Sequence, residues 1–487
     1  MYNLFEGIVY LFQDETADLI GELLKTKKGN KIDLTNISKN LGFDIDDIKN
    51  FFNEELFINN KLVINKQLTD EEIFSIRKNV FENKKRNFVE KRELNFKPYI
   101  FDDAQDDYRL ILQKNNVPFN VTFELTYNCN ECCIHCYNPG AIRNSHEMNN
   151  RKSEELTTND FKRIISELKE LGVVRVSLTG GDPFMRKDIW QIIEMLYDND
   201  FAIDIKTNGL RLLGNEEKLA QYYPLEVGLS VYSGIDETHD GITKVKGSLQ
   251  KTEKCIANLC KWGINVTLGC IIMKPNAKNY YTASAFARKY ALKIEYDLKL
   301  INAFDGDISV PKNLQVRDEQ LEVILRDERV TLYVGKNAAN GGKIIKNIET
   351  SVCGAGLNLF GINPEGNVIP CHAFPMILGN IKINTFSVII NADKALKWRE
   401  KTELKHFEIC GKEDYCNYCN FCVGDSFLES NTPYKPNAIG CYIAKVRMKI
   451  SEDLNNNNDF LNGKSIEERL NEFENKEINE FSKEFHS

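Results

Sequence analysis

The spacing of apolar positions changes character three times along the chain. Up to about residue 66 they come in short blocks. Residues 4–12 read as a strand-like run interrupted by Gly7, and residues 17–24 as a short helix. Residues 35–41, a turn at Gly42 and residues 44–56 predict a helix–turn–helix. A hairpin follows, with apolar runs at 57–58 and 62–64 flanking Asn59 and Asn60. This is a winged-helix layout, yet its second helix carries Asp44, Asp46, Asp47, Glu54 and Glu55 against only Lys49. Such a helix repels phosphate, so the unit does not read as a DNA-binding one. Residues 70–92 predict a charged helix, a strut whose charges face solvent.

The second regime is an alternation of strand and helix patterns. Strand-like runs fall at 119–125, 173–179, 201–206, 225–232, 264–272 and 292–300, and helical patterns separate most of them. The clearest helix puts Phe161, Ile164, Ile165 and Leu168 on one face, with Thr157 or Thr158 as N-cap and Gly172 at its end. Six β/α units predict an α/β fold, a barrel or partial barrel, with its chemistry at the C-terminal strand ends. From Cys353 the pattern breaks into short elements rich in Cys, Gly, Asn and Pro. The expected organisation is 1–66 winged-helix-like, 67–112 helical linker, 113–310 partial (β/α)6 barrel, 311–350 connector, 351–445 Cys-rich domain and 446–487 polar tail.

Length and composition narrow the function classes. A chain of 487 residues needs more than one core. A net charge of −8 gives no reason to expect nucleic acid as partner, and no apolar run is long enough for a membrane helix. Glu6, Asp14 and Glu15 make the N-terminus unlike a secretory signal, so a cytoplasmic protein is expected. Disulfides are rare there, which makes 14 cysteines informative. Four fall between 129 and 136 and seven between 353 and 441, predicting two separate metal-binding regions. Cys255, Cys260 and Cys270 lie between them on apolar runs and read as ordinary buried cysteines.

The first cysteine group closes the first barrel strand. Thiolates at Cys129, Cys133 and Cys136 can hold three irons of a [4Fe–4S] cube and leave the fourth open. The competing reading pairs Cys129 and Cys132 with Cys133 and Cys136 round a zinc ion, which strains the backbone between adjacent Cys132 and Cys133. CxxxCxxC at this place resembles the radical S-adenosylmethionine (SAM) superfamily. On that resemblance Cys129, Cys133 and Cys136 are the cluster ligands and Cys132 a bystander. Further landmarks stand at successive strand ends: Gly180-Gly181-Asp182-Pro183, Thr207-Asn208-Gly209 and Ser230. The resemblance implies SAM contacts from Tyr137, Gly180, Gly181, Asp182, Asn208 and Ser230. One departure stands out. Relatives follow the fourth strand with His-Asp-x-x-Arg, whereas this chain has His239, Asp240 and then Thr243-Lys244; a lysine does not reproduce a guanidinium fork.

The second group resembles the SPASM domain, which carries auxiliary [4Fe–4S] clusters in peptide-modifying radical SAM enzymes. Cys353-x12-Gly366-x4-Cys371 matches its first half; Cys410-x5-Cys416-x2-Cys419-x2-Cys422, followed by Cys441, departs from the usual spacing of its second. The seven divide as Cys410, Cys416, Cys419 and Cys441 for a closed cluster and Cys353, Cys371 and Cys422 for one with an open iron. The combined resemblance implies three [4Fe–4S] clusters, SAM, a flavodoxin- or ferredoxin-type electron donor, and a ribosomal precursor peptide whose leader is captured by residues 1–66. The expected reaction is a thioether cross-link from a cysteine sulfur to carbon. Alternatives are epimerisation, a carbon–carbon cross-link, formylglycine formation and, outside enzymes, an iron–sulfur DNA-binding regulator.

Overall fold

The computed structural model describes residues 33–42, 44–50, 115–138, 155–330, 351–407, 410–456 and 460–473, with a few isolated positions besides. Six parallel strands form its centre: β3 (Asn120–Glu124), β4 (Arg175–Thr179), β5 (Ala202–Thr207), β6 (Glu226–Ser230), β7 (Val266–Ile271) and β8 (Lys293–Asp297). They pair in sequence order, as the six strand-like runs predict. Period-two alternation sorts their side chains. Val121, Phe123, Val176, Leu178, Ile203, Ile205, Val227 and Leu229 pack into the helices and are fully buried or nearly so. Most intervening positions are polar, and several bond to one another across the other face. Asn120 Nδ2 donates to Ser177 Oγ (3.0 Å), Ser177 Oγ donates to Asp204 (3.1 Å), and Lys206 pairs with Glu226 (3.0 Å).

The helix Thr158–Glu170 shows how local sequence starts these elements. Thr157 and Asp160 form a reciprocal capping box, and Phe161, Ile164, Ile165 and Leu168 are buried. Cys255 and Cys270 are buried in the core between helix Ser248–Lys261 and β7.

The Cys-rich region is continuous with this sheet. Its strands β9 (Leu359–Ile362), β10 (Asn367–Ile369) and β11 (Gly379–Asn380) extend the order to β11-β10-β9-β3-β4-β5-β6-β7-β8. β9 runs parallel to β3, with Asn120 opposite Leu359 and Phe123 opposite Ile362. An uncovered β3 would be an open edge. Covering it, β9 ties the Cys-rich region to the strand that leads into the first cysteine loop.

At the N-terminus, Tyr2–Asn3 (β1) and Ile8–Val9 (β2) pair antiparallel, and helices Leu34–Leu41 and Ile45–Asn50 form the two arms of a helix–turn–helix. Gly42 ends the first helix at φ 78°. The expected hairpin at 57–64 and the strut at 70–92 lie outside the described residues. At the other end the structure departs from the expected tail. Helix Ala438–Asn455 runs through the boundary expected at 445, and residues 460–473 dock on helix Asp318–Leu325 and the residues after it. The Arg326 guanidinium carbon lies 4.4 Å from the ring centre of Phe460, Arg329 pairs with Glu467 (2.7 Å), and Leu470 is fully buried. No helix among the described residues is long and apolar enough to cross a membrane.

Candidate metal and cofactor site

The first cysteine loop is held on two sides by backbone bonds. On one, Leu125 N donates to Thr179 O (2.8 Å), Gly181 N to Thr126 O (2.7 Å) and Asp182 N to Asn128 O (2.8 Å). On the other, Cys132 N donates to Thr243 O (3.0 Å) and Ile134 N to Ile242 O (3.0 Å). These last carbonyls of helix Asp236–Thr243 would otherwise be unpaired. The loop so fixed half-buries Cys129, Cys133 and Cys136 and leaves Cys132 exposed. Burial first of all pushes the Cys129 thiol up to about 12, and Cys133 further still, with Glu131 and the other two thiols adding to Cys133. The three therefore sense one another. Buried thiols of this kind ionise only when a metal displaces their protons.

The two glycines of Gly180-Gly181 serve the loop itself. A Cβ on Gly180 would lie 2.4 Å from Thr126 O, and one on Gly181 2.2 Å from Asn128 O. Gly180 also has φ 133°. Asp182 turns its carboxylate inward, completely buried. It accepts from Phe184 N (2.9 Å), Thr207 Oγ1 (2.6 Å) and Asn208 N (2.9 Å). Its side chain thus braces the β4 and β5 ends and leaves the backbone of the Gly180–Asp182 turn as the part that can meet a ligand. Asn208 Nδ2 reaches Asn130 Oδ1 (2.9 Å) and Cys129 Sγ (3.6 Å). Ser230 bonds the hydroxyl of buried Tyr232, and Tyr137 packs against Phe304 with ring centres 4.8 Å apart.

A buried network missed in the sequence supports the same loop. Glu131 accepts from Ser248 Oγ (2.5 Å) and lies 3.5 Å from Cys133 Sγ. Ser248 is 3.4 Å from His239 Nε2, and His239 Nδ1 accepts from Tyr232 N (3.2 Å). Burial lowers His239 to about 4, so the ring is neutral near pH 7. Asp240 accepts from Gly247 N and Leu249 N. The His-Asp pair is therefore structural. Lys244 is exposed at the helix end with φ 59°. A charged residue inside a cysteine loop was the one sequence signal that pointed to Glu131.

In the Cys-rich region, Cys410, Cys416, Cys419, Cys422 and Cys441 line one cavity together with Lys299 and Asp425. Cys353 and Cys371 lie apart from it and sense each other. Cys422 sits at the seam. It lines the five-thiol cavity, and the helix it starts, Val423–Ser430, presses through Gly424 onto the Cys371–Phe374 turn. A Cβ on Gly424 would stand 2.0 Å from Ala373 O. Cys371 Sγ is 3.7 Å from His372 Nδ1. Nearby, Glu124 at the end of β3 is buried, its Oε1 has no hydrogen-bond partner, and burial raises it to about 7.

Among the described residues, no three His, Cys, Asp or Glu side chains converge at the distance a single ion requires. The thiols are instead spread round volumes, and an all-sulfur donor set of this kind fits an iron–sulfur cube. A parallel β/α sheet whose first strand runs into a loop with three half-buried thiols is the arrangement of a β/α-barrel enzyme suited to an iron–sulfur group.

Comparison with known proteins makes the assignment specific. Residues 123–279 match the Radical SAM superfamily, and residues 353–422 match the SPASM iron–sulfur cluster-binding domain. These two matches give the chain a Radical SAM domain followed by a SPASM domain. It is 26% identical over 337 residues to the antilisterial bacteriocin subtilosin biosynthesis protein AlbA of Bacillus subtilis (strain 168), covering 66% of this chain and 70% of that one. It is also 26% identical over 340 residues to the AdoMet-dependent heme synthase of Methanosarcina barkeri (strain Fusaro / DSM 804), covering 64% of this chain and 93% of that one. The fold is shared with Streptococcus suis SuiB. The SAM-bound crystal structure of SuiB superposes with a TM-score of 0.53 at 16% identity, covering 90% of this chain and 95% of that one. SuiB bound to its precursor peptide SuiA gives 0.50 over 77% of this chain and 93% of that one.

Proposed function

We propose that this enzyme modifies a ribosomally made precursor peptide, forming a thioether between a cysteine sulfur and a carbon. The carrying observation is the second thiol region, seven cysteines joined through β9 to the strand that presents Cys129, Cys133 and Cys136. The biosynthetic role in AlbA's name and the precursor peptide bound by SuiB support a peptide substrate. Of three [4Fe–4S] clusters, the first, when bound, supplies the electron that splits SAM into methionine and a hydrogen-abstracting radical, and the auxiliary pair supplies a sulfur-binding iron and an electron sink.

The chain's own residues do the rest. Cys129, Cys133 and Cys136 hold the first cluster, with Asn208 against Cys129 and Glu131 against Cys133 fixing their orientation. Tyr137, Asn208, Ser230 and the backbone of Gly180, Gly181 and Asp182 surround SAM. Cys353, Cys371 and Cys422 present the open auxiliary site, and Cys410, Cys416, Cys419 and Cys441 the closed one. Residues 1–66 receive the leader by adding it to a sheet edge. A flavodoxin- or ferredoxin-type donor delivers electrons, and the setting is the cytoplasm.

The test is anaerobic co-expression with a cysteine-containing peptide encoded beside this gene, followed by mass spectrometry. A loss of two hydrogens per link, with the cysteine protected from alkylation, supports the thioether. Modification without protection selects epimerisation or a carbon–carbon link. An unchanged peptide, with SAM cleavage intact, removes the peptide reading and turns attention to porphyrin-type substrates, as the heme synthase relative's name suggests.

A further inference from the structure

The last barrel strand ends at Asp297, and two residues later the chain sends Lys299 into the five-thiol cavity. Lys299 Nζ lies 2.8 Å from Asp425 Oδ2 and 3.5 Å from the Asn420 carbonyl, groups that flank Cys422 in sequence. It is the one Lys or Arg among the residues lining the cavity. Asp425 in turn bonds the Cys422 sulfur through both its backbone N–H and its carboxylate. On another side, helix Ala438–Asn455 turns Arg447 inward, donating to the Tyr418 carbonyl (3.1 Å) immediately before Cys419. Asp297 itself accepts from the Lys299 N–H (2.9 Å), which fixes the turn that carries Lys299 from the barrel's last strand to the cavity.

We infer that Lys299 and Arg447 are positioning residues that set the reduction potential of the auxiliary cluster in this cavity, making it an electron acceptor, with Asp425 tempering Lys299. A thiolate-ligated [4Fe–4S] group is anionic and gains one further negative charge on taking one electron. A fixed neighbouring cation stabilises the reduced form more than the oxidised one, and a fixed anion does the reverse. Lys299 and Asp425 should therefore act with opposite sign although they belong to one ion pair. Loosening of the structure, by contrast, would move both variants the same way.

This inference rests on the auxiliary clusters of the proposed function, and the experiment separates the two. The full chain, reconstituted anaerobically, is assayed for iron and titrated with dithionite under EPR. Lys299→Met and Arg447→Met should each shift the auxiliary midpoint negative, Asp425→Asn should shift it positive, and Lys299→Arg should leave it near the native value. The signal that responds to added SAM should not move in any of them. Shifts of one sign in Lys299→Met and Asp425→Asn, or none in either, overturn the inference. Should Lys299→Met lose auxiliary iron, the positive shift of Asp425→Asn decides, and its absence overturns the proposal. Iron for only one cluster in the unmodified chain would overturn the auxiliary-site reading itself and the inference with it.

Discussion

A Cβ placed on Gly181 would stand 2.2 Å from the carbonyl oxygen of Asn128, an oxygen that already accepts the Asp182 N–H at 2.8 Å. Main chain meets main chain here, so neither partner can rotate away. The β4 end and the first cysteine loop are locked at a spacing that only glycine permits. Gly181→Ala should push the loop off its strand and cost at least about 1–3 kcal/mol, the usual price of overpacking. Iron at the first site should be lost while auxiliary iron stays. Gly241 is the control, since it lies in helix Asp236–Thr243 with nothing within 4 Å of a Cβ. Gly241→Ala should be neutral or stabilising by up to about 1 kcal/mol. Iron assay and thermal melts of both variants measure this.

Cys132 and Cys133 are neighbours in sequence with opposite fates. Cys132 is exposed while its N–H ties the loop to Thr243, whereas Cys133 turns inward to Glu131. Cys132→Ala keeps the backbone bond and should leave SAM cleavage unchanged. Cys133→Ala should abolish cleavage and the SAM-responsive EPR signal. The reverse pattern would mean the wrong neighbour has been assigned.

Much of this arrangement was legible in the chain, and what was not has a physical reason. The six strands and the capping box at Thr157 follow from periodicity and local hydrogen bonding, so short windows reveal them. The motif glycines are visible in the sequence, but their close packing on Thr126 and Asn128 is not, because that backbone comes from another strand end. The bracing by the Asp182 side chain is invisible for the same cause: its partners, Thr207 and Asn208, are 25 and 26 residues away. The Glu131–Ser248–His239 network spans 117 residues between Glu131 and Ser248, and no local pattern encodes it. The docking of residues 460–473 was hidden by their polar composition, because its few apolar anchors, Phe460 and Leu470, stand among charges whose partners Arg326 and Arg329 lie far away in sequence.

His239 supplies a pH signature. Its folded pKa of about 4 lies below the ordinary 6.5, so below pH 6.5 the unfolded chain binds a proton that the folded one refuses. The stability attached to the neutral ring is fully present above 6.5 and is lost as pH falls toward 4. Between pH 7 and 5 this amounts to about 2 kcal/mol. His239→Gln should abolish that part of the slope. Urea melts of both proteins at pH 7 and 5 check it, equal slopes being the contrary result.

Glu124 works in the opposite sense. Its folded pKa of about 7 lies above the ordinary 4.5, so its contribution is fully present below 4.5 and is lost as pH rises through 7. Ionising a buried carboxylate whose Oε1 has no partner is unfavourable. Glu124→Gln should therefore gain on the unmodified protein as pH rises from 5 to 8, by up to about 3 kcal/mol. Melting temperatures across that range read it directly, and a flat difference would show that the carboxylate is satisfied in solution.

Residues 460–473 close the argument about the C-terminal segment. Leu470 is fully buried, Phe460 lies under Arg326, and Glu467 pairs with Arg329, which also grips Asp327. Asp327 in turn bonds the hydroxyl of Tyr280, a buried core residue. The segment is thus linked through two ionic steps to the barrel core, although its composition is polar. Exposed ion pairs contribute little, so most of its stabilisation should come from Leu470 and the ring of Phe460. Leu470→Ala should cost about 2–4 kcal/mol, whereas Glu467→Gln should cost under about 1 kcal/mol. Ending the chain at residue 456 should lower the melting temperature at least as much as Leu470→Ala, with iron content at the first cysteine trio unchanged. If the segment merely rested on the surface, Leu470→Ala and the truncation would both melt like the intact chain.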